Sequence, residues 1–248
     1  MPPIKGDVEF KNVTFSYEDG VEILKKVSFK AKKGQTVAIV GPTGAGKTTI
    51  VNLLSRFYNV DSGEVLIDGI DISKVTIRSL RKQMGVMMQD SFIFSGTVMD
   101  NIRYGNKEVS DEQVIRAAKT VCAHGFIMEM ENGYYTQINE RGSRLSQGQR
   151  QLISFARALL ADPKILILDE ATSSIDTETE ILLQKGLNEL LKGRTSFIIA
   201  HRLSTIKNAD FIMYIDAGGI AEMGSHEELI SQEGEYYKLY MSQYDFLK

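Results

Sequence analysis

The chain has 248 residues, 43% of them hydrophobic and 25% charged, and a formal net charge of -3; that length suits one α/β domain with a subdomain inserted in it, and the mildly acidic balance argues against a nucleic-acid partner, which needs a concentrated basic face. One cysteine, Cys122, excludes an intrachain disulfide and fits a reducing compartment. No apolar run is long enough to cross a bilayer and Met1 opens no leader pattern, so the polypeptide taken alone is expected to be soluble.

In chain order, Val8 to Phe15 and Ile23 to Phe29 alternate apolar and polar residues, with a turn at Glu18-Asp19-Gly20, and read as strands. Thr36 to Val40 is a short β-branched run ending at a glycine loop, the pattern of a buried parallel strand. Ile50, Leu53, Leu54 and Phe57 then recur at helical spacing, and Glu64 to Ile67 and Met84 to Met88 read as further strands. From Ser91 to Leu160 the pattern is helical. Ser110 with Gln113 and Ser146 with Gln149 form capping boxes ahead of apolar stripes, and Asp162-Pro163 stops the second helix. Strands return at Ile165 to Leu168, Ser196 to Ala200 and Phe211 to Ile215. Strands interleaved with helices predict an α/β fold with a mainly parallel sheet. Residues 1–90 and 161–248 are expected to form the core with an N-terminal antiparallel β-subdomain, and 91–160 an inserted α-helical subdomain.

Gly41-Pro42-Thr43-Gly44-Ala45-Gly46-Lys47-Thr48 fits the phosphate-loop pattern G-x-x-x-x-G-K-[ST]. Glycines at 41, 44 and 46 let the backbone turn several N–H groups onto phosphates, and the following helix adds the positive end of its dipole. Lys47 can reach the β- and γ-phosphates, the Thr48 hydroxyl can bind Mg²⁺, and Thr49 is expected at the α-phosphate. A chance glycine turn lacks the strand before and the apolar helix after that are present here. Ile165 to Leu168 runs into Asp169-Glu170 at the carboxyl end of a strand, where open α/β sheets bind ligands. Asp169 is thereby placed to hold Mg²⁺ and Glu170 to polarise an attacking water. An isolated Asp-Glu is more often a solvated strand end; downstream of a phosphate loop the functional reading prevails. His201 ends the strand Phe197 to Ala200, where it could touch the γ-phosphate, and Gln89 ends Met84 to Met88, where an amide can ligate Mg²⁺ without adding charge.

Leu145-Ser146-Gln147-Gly148-Gln149 opens a helix whose first N–H groups make a second anion site, one suited to nucleotide held by another subunit. With this segment the chain resembles the nucleotide-binding domain of an ABC transporter, over nearly its whole length and with the motifs in family order. Leu145 to Gln149 is similar to the LSGGQ signature, Tyr17 to the aromatic residue that stacks on adenine, Gln89 to the Q-loop, Ser173-Ser174-Ile175-Asp176 to the D-loop and His201 to the switch histidine. Phe92 to Ile102, Glu140-Arg141-Gly142, His201 to Thr205 and Gly224 to Leu229 resemble segments of multidrug and lipid-flippase exporters. The resemblance implies an ATP-hydrolysing P-loop NTPase core, with ATP and Mg²⁺ as cofactors. It implies a head-to-tail partner domain whose site receives Ser146, Gly148 and Asp176, and transmembrane domains reached by coupling helices. The location implied is the cytoplasmic face of the membrane, and the chain would be the C-terminal domain of a longer polypeptide.

The sequence departs from the pattern at Gln147, which stands in place of the first signature glycine. Either the change is harmless, since Ser146 and the helix start remain, or it marks a heterodimer with two unequal sites; a homodimer stays open. Ile175 is a milder departure. Two other classes fit the pattern less well. A structural-maintenance or DNA-repair ATPase would place a long coiled coil between Thr48 and Leu145, and no heptad run is present. A nucleotide-binding regulatory module would not need Glu170 and His201, and an importer ATPase would lack the exporter-like segments.

Overall fold

The alternation in Val8 to Phe15 contains one irregular step, from Phe10 to Val13, and that step shapes the first sheet. The computed structural model describes residues 1–18, 20–88, 92–139, 142, 144–169, 176–200 and 202–245. Along the chain run β1 (Val8–Ser16), β2 (Glu22–Ala31), β3 (Thr36–Val40), α1 (Lys47–Leu54), β4 (Ser62–Ile67), β5 (Ile70–Asp71), α2 (Ile77–Arg81) and β6 (Met84–Met87). There follow β7 (Gly96–Thr97), α3 (Val98–Arg103), α4 (Asp111–Thr120), α5 (His124–Met128), β8 (Gln137–Ile138), α6 (Gln147–Ala161) and β9 (Ile165–Asp169). The last elements are α7 (Thr177–Leu191), β10 (Thr195–Ile199), α8 (Leu203–Lys207), β11 (Phe211–Asp216), β12 (Gly219–Gly224), α9 (His226–Ser231) and α10 (Glu235–Asp245).

The chain divides into two units, Met1–Val86, Lys164–Thr172 and Gly193–Lys248 in one, Met87–Pro163 and Ser173–Lys192 in the other. The first holds a four-stranded sheet in the order β2-β1-β4-β5, antiparallel throughout, and a six-stranded sheet in the order β12-β11-β3-β10-β9-β6. In β1 the register shifts between Phe10 and Val13, so Lys11 and Asn12 both face solvent while Val8, Phe10, Val13 and Phe15 stay buried. A bulge of this kind lets an odd spacing of apolar residues keep one face on the core. The pairs β3–β10, β10–β9 and β11–β3 are parallel. Covered on both faces, Val37, Ala38, Ile39 and Val40 are all buried, which is why β3 reads as a continuous apolar run. Phe10, Phe29, Ile39, Ile167, Phe197 and Met213 share one hydrophobic cluster, with the Phe10 and Phe29 rings stacked at 4.6 Å.

The second unit is mainly helical, as the capping boxes predict. The Ser110 and Ser146 hydroxyls each accept from the backbone N–H three residues on, and Gln113 and Gln149 reciprocate. Thr97 with Asp100 makes a further box on α3. Three sequence expectations are corrected. First, α1 ends at Leu54 and Phe57 is 52% exposed rather than part of the apolar stripe. The helix stops where Arg56 takes φ +54° and the Phe57 N–H turns back to the Asn52 carbonyl; Arg81 donates to the carbonyls of Ser55 and Arg56, and its guanidinium covers the Phe57 ring. Second, the helical stretch contains a short antiparallel pair, β7 with β8. Third, α7 belongs with the second unit and not with the core residues around it in sequence, because Leu183, Gly186 and Leu187 turn a buried stripe toward α6. Tertiary packing settled that membership; the helical period fits either unit.

Candidate nucleotide-binding site

The phosphate loop joins β3 to α1 in the first unit. Gly41 takes φ +136°, and a Cβ there would stand 2.1 Å from the Ile215 carbonyl oxygen of β11, so neither conformation nor space admits another residue. Gly46 is the N-cap of α1, and no acidic side chain occupies the first turn. The opening N–H groups of a helix have no intrahelical acceptor, which leaves this start to an anion. Thr43, Gly44 and Thr48 are exposed, Lys47 is half-buried and Thr49 is buried. Lys47 Nζ donates to the carbonyl oxygens of Gly41 and Pro42, both at 2.8 Å, and so curls over the loop.

Parallel register brings the first carboxylate to the same edge. Ile39 of β3 is level with Ile199 of β10, and Ile199 with Asp169 of β9. Burial pulls the Lys47 amine below its usual range, and the Asp169 carboxylate pulls in the opposite direction. The exposed Thr48 hydroxyl and the Asp169 carboxylate are hard oxygen donors of the sort that Mg²⁺ selects, so the residues present fit that ion. Tyr17 is 46% exposed and stands perpendicular to both Phe15 and Tyr58, at centroid distances of 4.8 and 5.0 Å. Its hydroxyl lies 3.2 Å from Thr49 Oγ1 and accepts from Asn52 Nδ2 at 3.4 Å. The aromatic residue and the first helix of the loop are thus linked directly. Tyr58 and Asn52 escaped the sequence reading because neither belongs to a spaced motif.

In the second unit Ser146 is the N-cap of α6; its N–H donates to Gln149 Oε1 at 3.0 Å and its hydroxyl accepts from Gln149 N at 3.2 Å. Gln147 is half-buried at the first helical position and Gly148 is buried at the second. Asp176 caps α7 by accepting from Thr179 N at 2.9 Å. The Thr179 backbone and hydroxyl hold the Asp176 carboxyl below the ordinary carboxylate range. Gln89, Glu170 and His201 lie outside the described residues, as do Glu140, Arg141 and Ser173 to Ile175.

A phosphate loop at the end of a parallel strand, an acid at the same end of the sheet two strands away, and an aromatic ring beside the loop define a nucleotide-binding α/β protein. The family model described as ABC transporter matches residues 24–173. An uncharacterized ABC transporter ATP-binding protein of Bacillus subtilis is 55% identical over 99% of the chain and 41% of its own length. An ATP-dependent lipid A-core flippase of Syntrophus aciditrophicus is 49% identical over 98% of the chain and 40% of its own length. The structure of a bacterial Atm1-family ABC exporter with ATP bound superposes with a TM-score of 0.89 at 42% identity, over 98% of the chain and 44% of that protein. The chain belongs to the ABC transporter family and is an ATPase domain of it. It spans well under half the length of these relatives. Among the described residues no helix is long and apolar enough to cross a membrane.

Proposed function

We propose that the chain is the ATP-hydrolysing motor of an exporter and works at the cytoplasmic face of a membrane, attached through coupling helices to transmembrane domains. The observation that carries the reading is the parallel register that brings the phosphate loop and Asp169 to one end of the sheet, where the Asp169 carboxylate supports the charge of Lys47. Tyr17 stacks on adenine. The N–H groups of Thr43, Gly44 and Gly46 and the Lys47 amine hold the phosphates, and Thr49 seats the α-phosphate. Thr48, Asp169 and Gln89 hold the magnesium ion, which when bound neutralises charge on the β- and γ-phosphate oxygens. Glu170 takes a proton from the attacking water and His201 holds the γ-phosphate. Ser146, Gly148 and Asp176 complete the site on a partner domain, and the partner returns the same groups.

That partner is another domain of the same family. Gln147 favours an unequal one, because its side chain projects where glycine leaves only backbone; a copy of this chain can stand in for it. In an unequal pair this chain's intact loop forms the competent site. Glu170→Gln is then expected to keep ATP binding and to lower turnover about a hundred- to ten-thousandfold, the ordinary worth of a general base. Steady-state activity like that of the unsubstituted protein would refute the assignment. A native complex holding two copies of this chain, each site turning over equally, would sink the unequal pairing.

A further inference from the structure

Gly148 raises a question that Gly41 does not. It sits inside α6 at the second helical position, in backbone that any residue adopts. Glycine there costs about 1 kcal/mol of helix stability relative to alanine. What excludes a side chain is a neighbour: an added Cβ would lie 2.2 Å from Thr179 Cγ2 and 3.6 Å from Leu183 Cδ1. Thr179 is in the first turn of α7, and its backbone N–H donates to the Asp176 carboxylate at 2.9 Å. One residue therefore meets the signature through its methyl group and Asp176 through its amide and hydroxyl.

We infer that Thr179 is a positioning residue: its methyl group fills the space over Gly148, seats the turn Leu145 to Gln149 on α7, and fixes Ser146 and Gly148 relative to Asp176. The inference rests on the proposed function, in which those three residues serve a partner's nucleotide. A rigid spacing then matters, because misplacing a positioned group by about 1 Å can cost on the order of a hundredfold in rate. Leu183, one turn further along the same face and buried, backs the contact and prevents α7 from tilting away. Gly148 is glycine, on this account, because Thr179 already supplies the side-chain volume that the position needs.

A size swap tests it. Turnover of the chain is measured for Gly148→Ala, for Thr179→Ser, which deletes the methyl group and keeps the hydroxyl on Asp176, and for the double variant. Gly148→Ala is expected to lose on the order of ten- to a hundredfold. The double variant is expected to regain most of that loss, since the methyl group has moved from one side of the contact to the other. Each single variant is also mixed with a Lys47→Ala chain, whose own loop is inactive but whose signature is intact. Regained turnover in the mixture shows a folded chain whose fault acts on its partner. A double variant no better than Gly148→Ala overturns the role of Thr179 even if the mixtures are active. Recovery in the double variant with silent mixtures removes the action in trans, and with it this inference, while leaving the contact itself standing.

Discussion

At the scale of single residues, chemistry is set by what each side chain touches. Lys47 is held by two backbone carbonyls of its own loop, and its charge is opposed by burial and supported by Asp169. Tyr17 performs two jobs with separate atoms. Its ring, perpendicular to Phe15 and Tyr58, offers an exposed face, and its hydroxyl is tied to Thr49 and Asn52. These contributions are separable. Tyr17→Phe keeps the ring and deletes a net hydrogen bond worth about 0.5–1.5 kcal/mol. On the proposed reading, Tyr17→Ala also deletes base stacking, worth about 1–3 kcal/mol. Titration with ATP is expected to rank affinity as native, then Phe, then Ala; equal affinity for Tyr17→Ala and the native chain would show that the ring does not meet the base.

At the scale of elements, the clearest device lies in the second unit. Asn101 of α3 is buried, accepts from Phe94 N at 2.9 Å, and donates to the carbonyls of Phe94 and Thr97 at 2.9 and 3.0 Å. Arg157 of α6 reaches the same place, donating to the carbonyls of Asn101 and Phe92 and to Asn101 Oδ1. Its guanidinium lies 5.3 Å from the Phe94 ring centroid and 5.8 Å from that of Tyr104. Burial pulls the Arg157 pKa below its usual value, but the guanidinium stays protonated at neutral pH, and these carbonyls satisfy its buried N–H groups. Residues 92–95, ahead of β7, form no helix or strand, and these two side chains supply partners for the Phe92 and Phe94 backbone in place of a ladder. Asn101→Ala strands several of these groups at about 1–3 kcal/mol for each buried one left unsatisfied. A fall in unfolding free energy of at least that amount, read from denaturant titration, is the expected result. A change within about 0.5 kcal/mol, usual for surface substitutions, would show that water replaces the amide.

At the scale of the whole molecule, each unit carries a different half of the proposed chemistry: the loop, Asp169 and Tyr17 in the first, the signature and Asp176 in the second. Nucleotide binding should therefore be visible as stability. Ligand at about a hundred times its dissociation constant adds about 2.7 kcal/mol to the state that binds it. Mg-ATP is expected to raise the melting temperature of the chain and to leave that of Lys47→Ala nearly unchanged. An equal rise in both would place the ligand elsewhere.

Much of this architecture was legible in the residues. Thr36 to Val40 marks a buried parallel strand because only β-branched and small apolar residues suit a strand covered on both faces. Ser110 and Ser146 mark helix starts because capping is a local bond between residues three apart. The phosphate loop, Asp169 and the signature are legible for the same reason: each is a local arrangement with fixed spacing. What sequence spacing does not encode is contact across the chain. It placed Phe57 on a helix that in fact ends at Leu54, and it left α7 with the core although Leu183 and Gly186 pack it into the helical unit. It also gave no reason to connect Tyr17 with Thr49 and Asn52, or Gly148 with Thr179. The sequence by itself determined the loop, the parallel strands of the core, the capped helices and the family. Only the tertiary structure decided which residues hold those motifs in place, because close packing depends on side chains that meet in space after lying far apart in the chain.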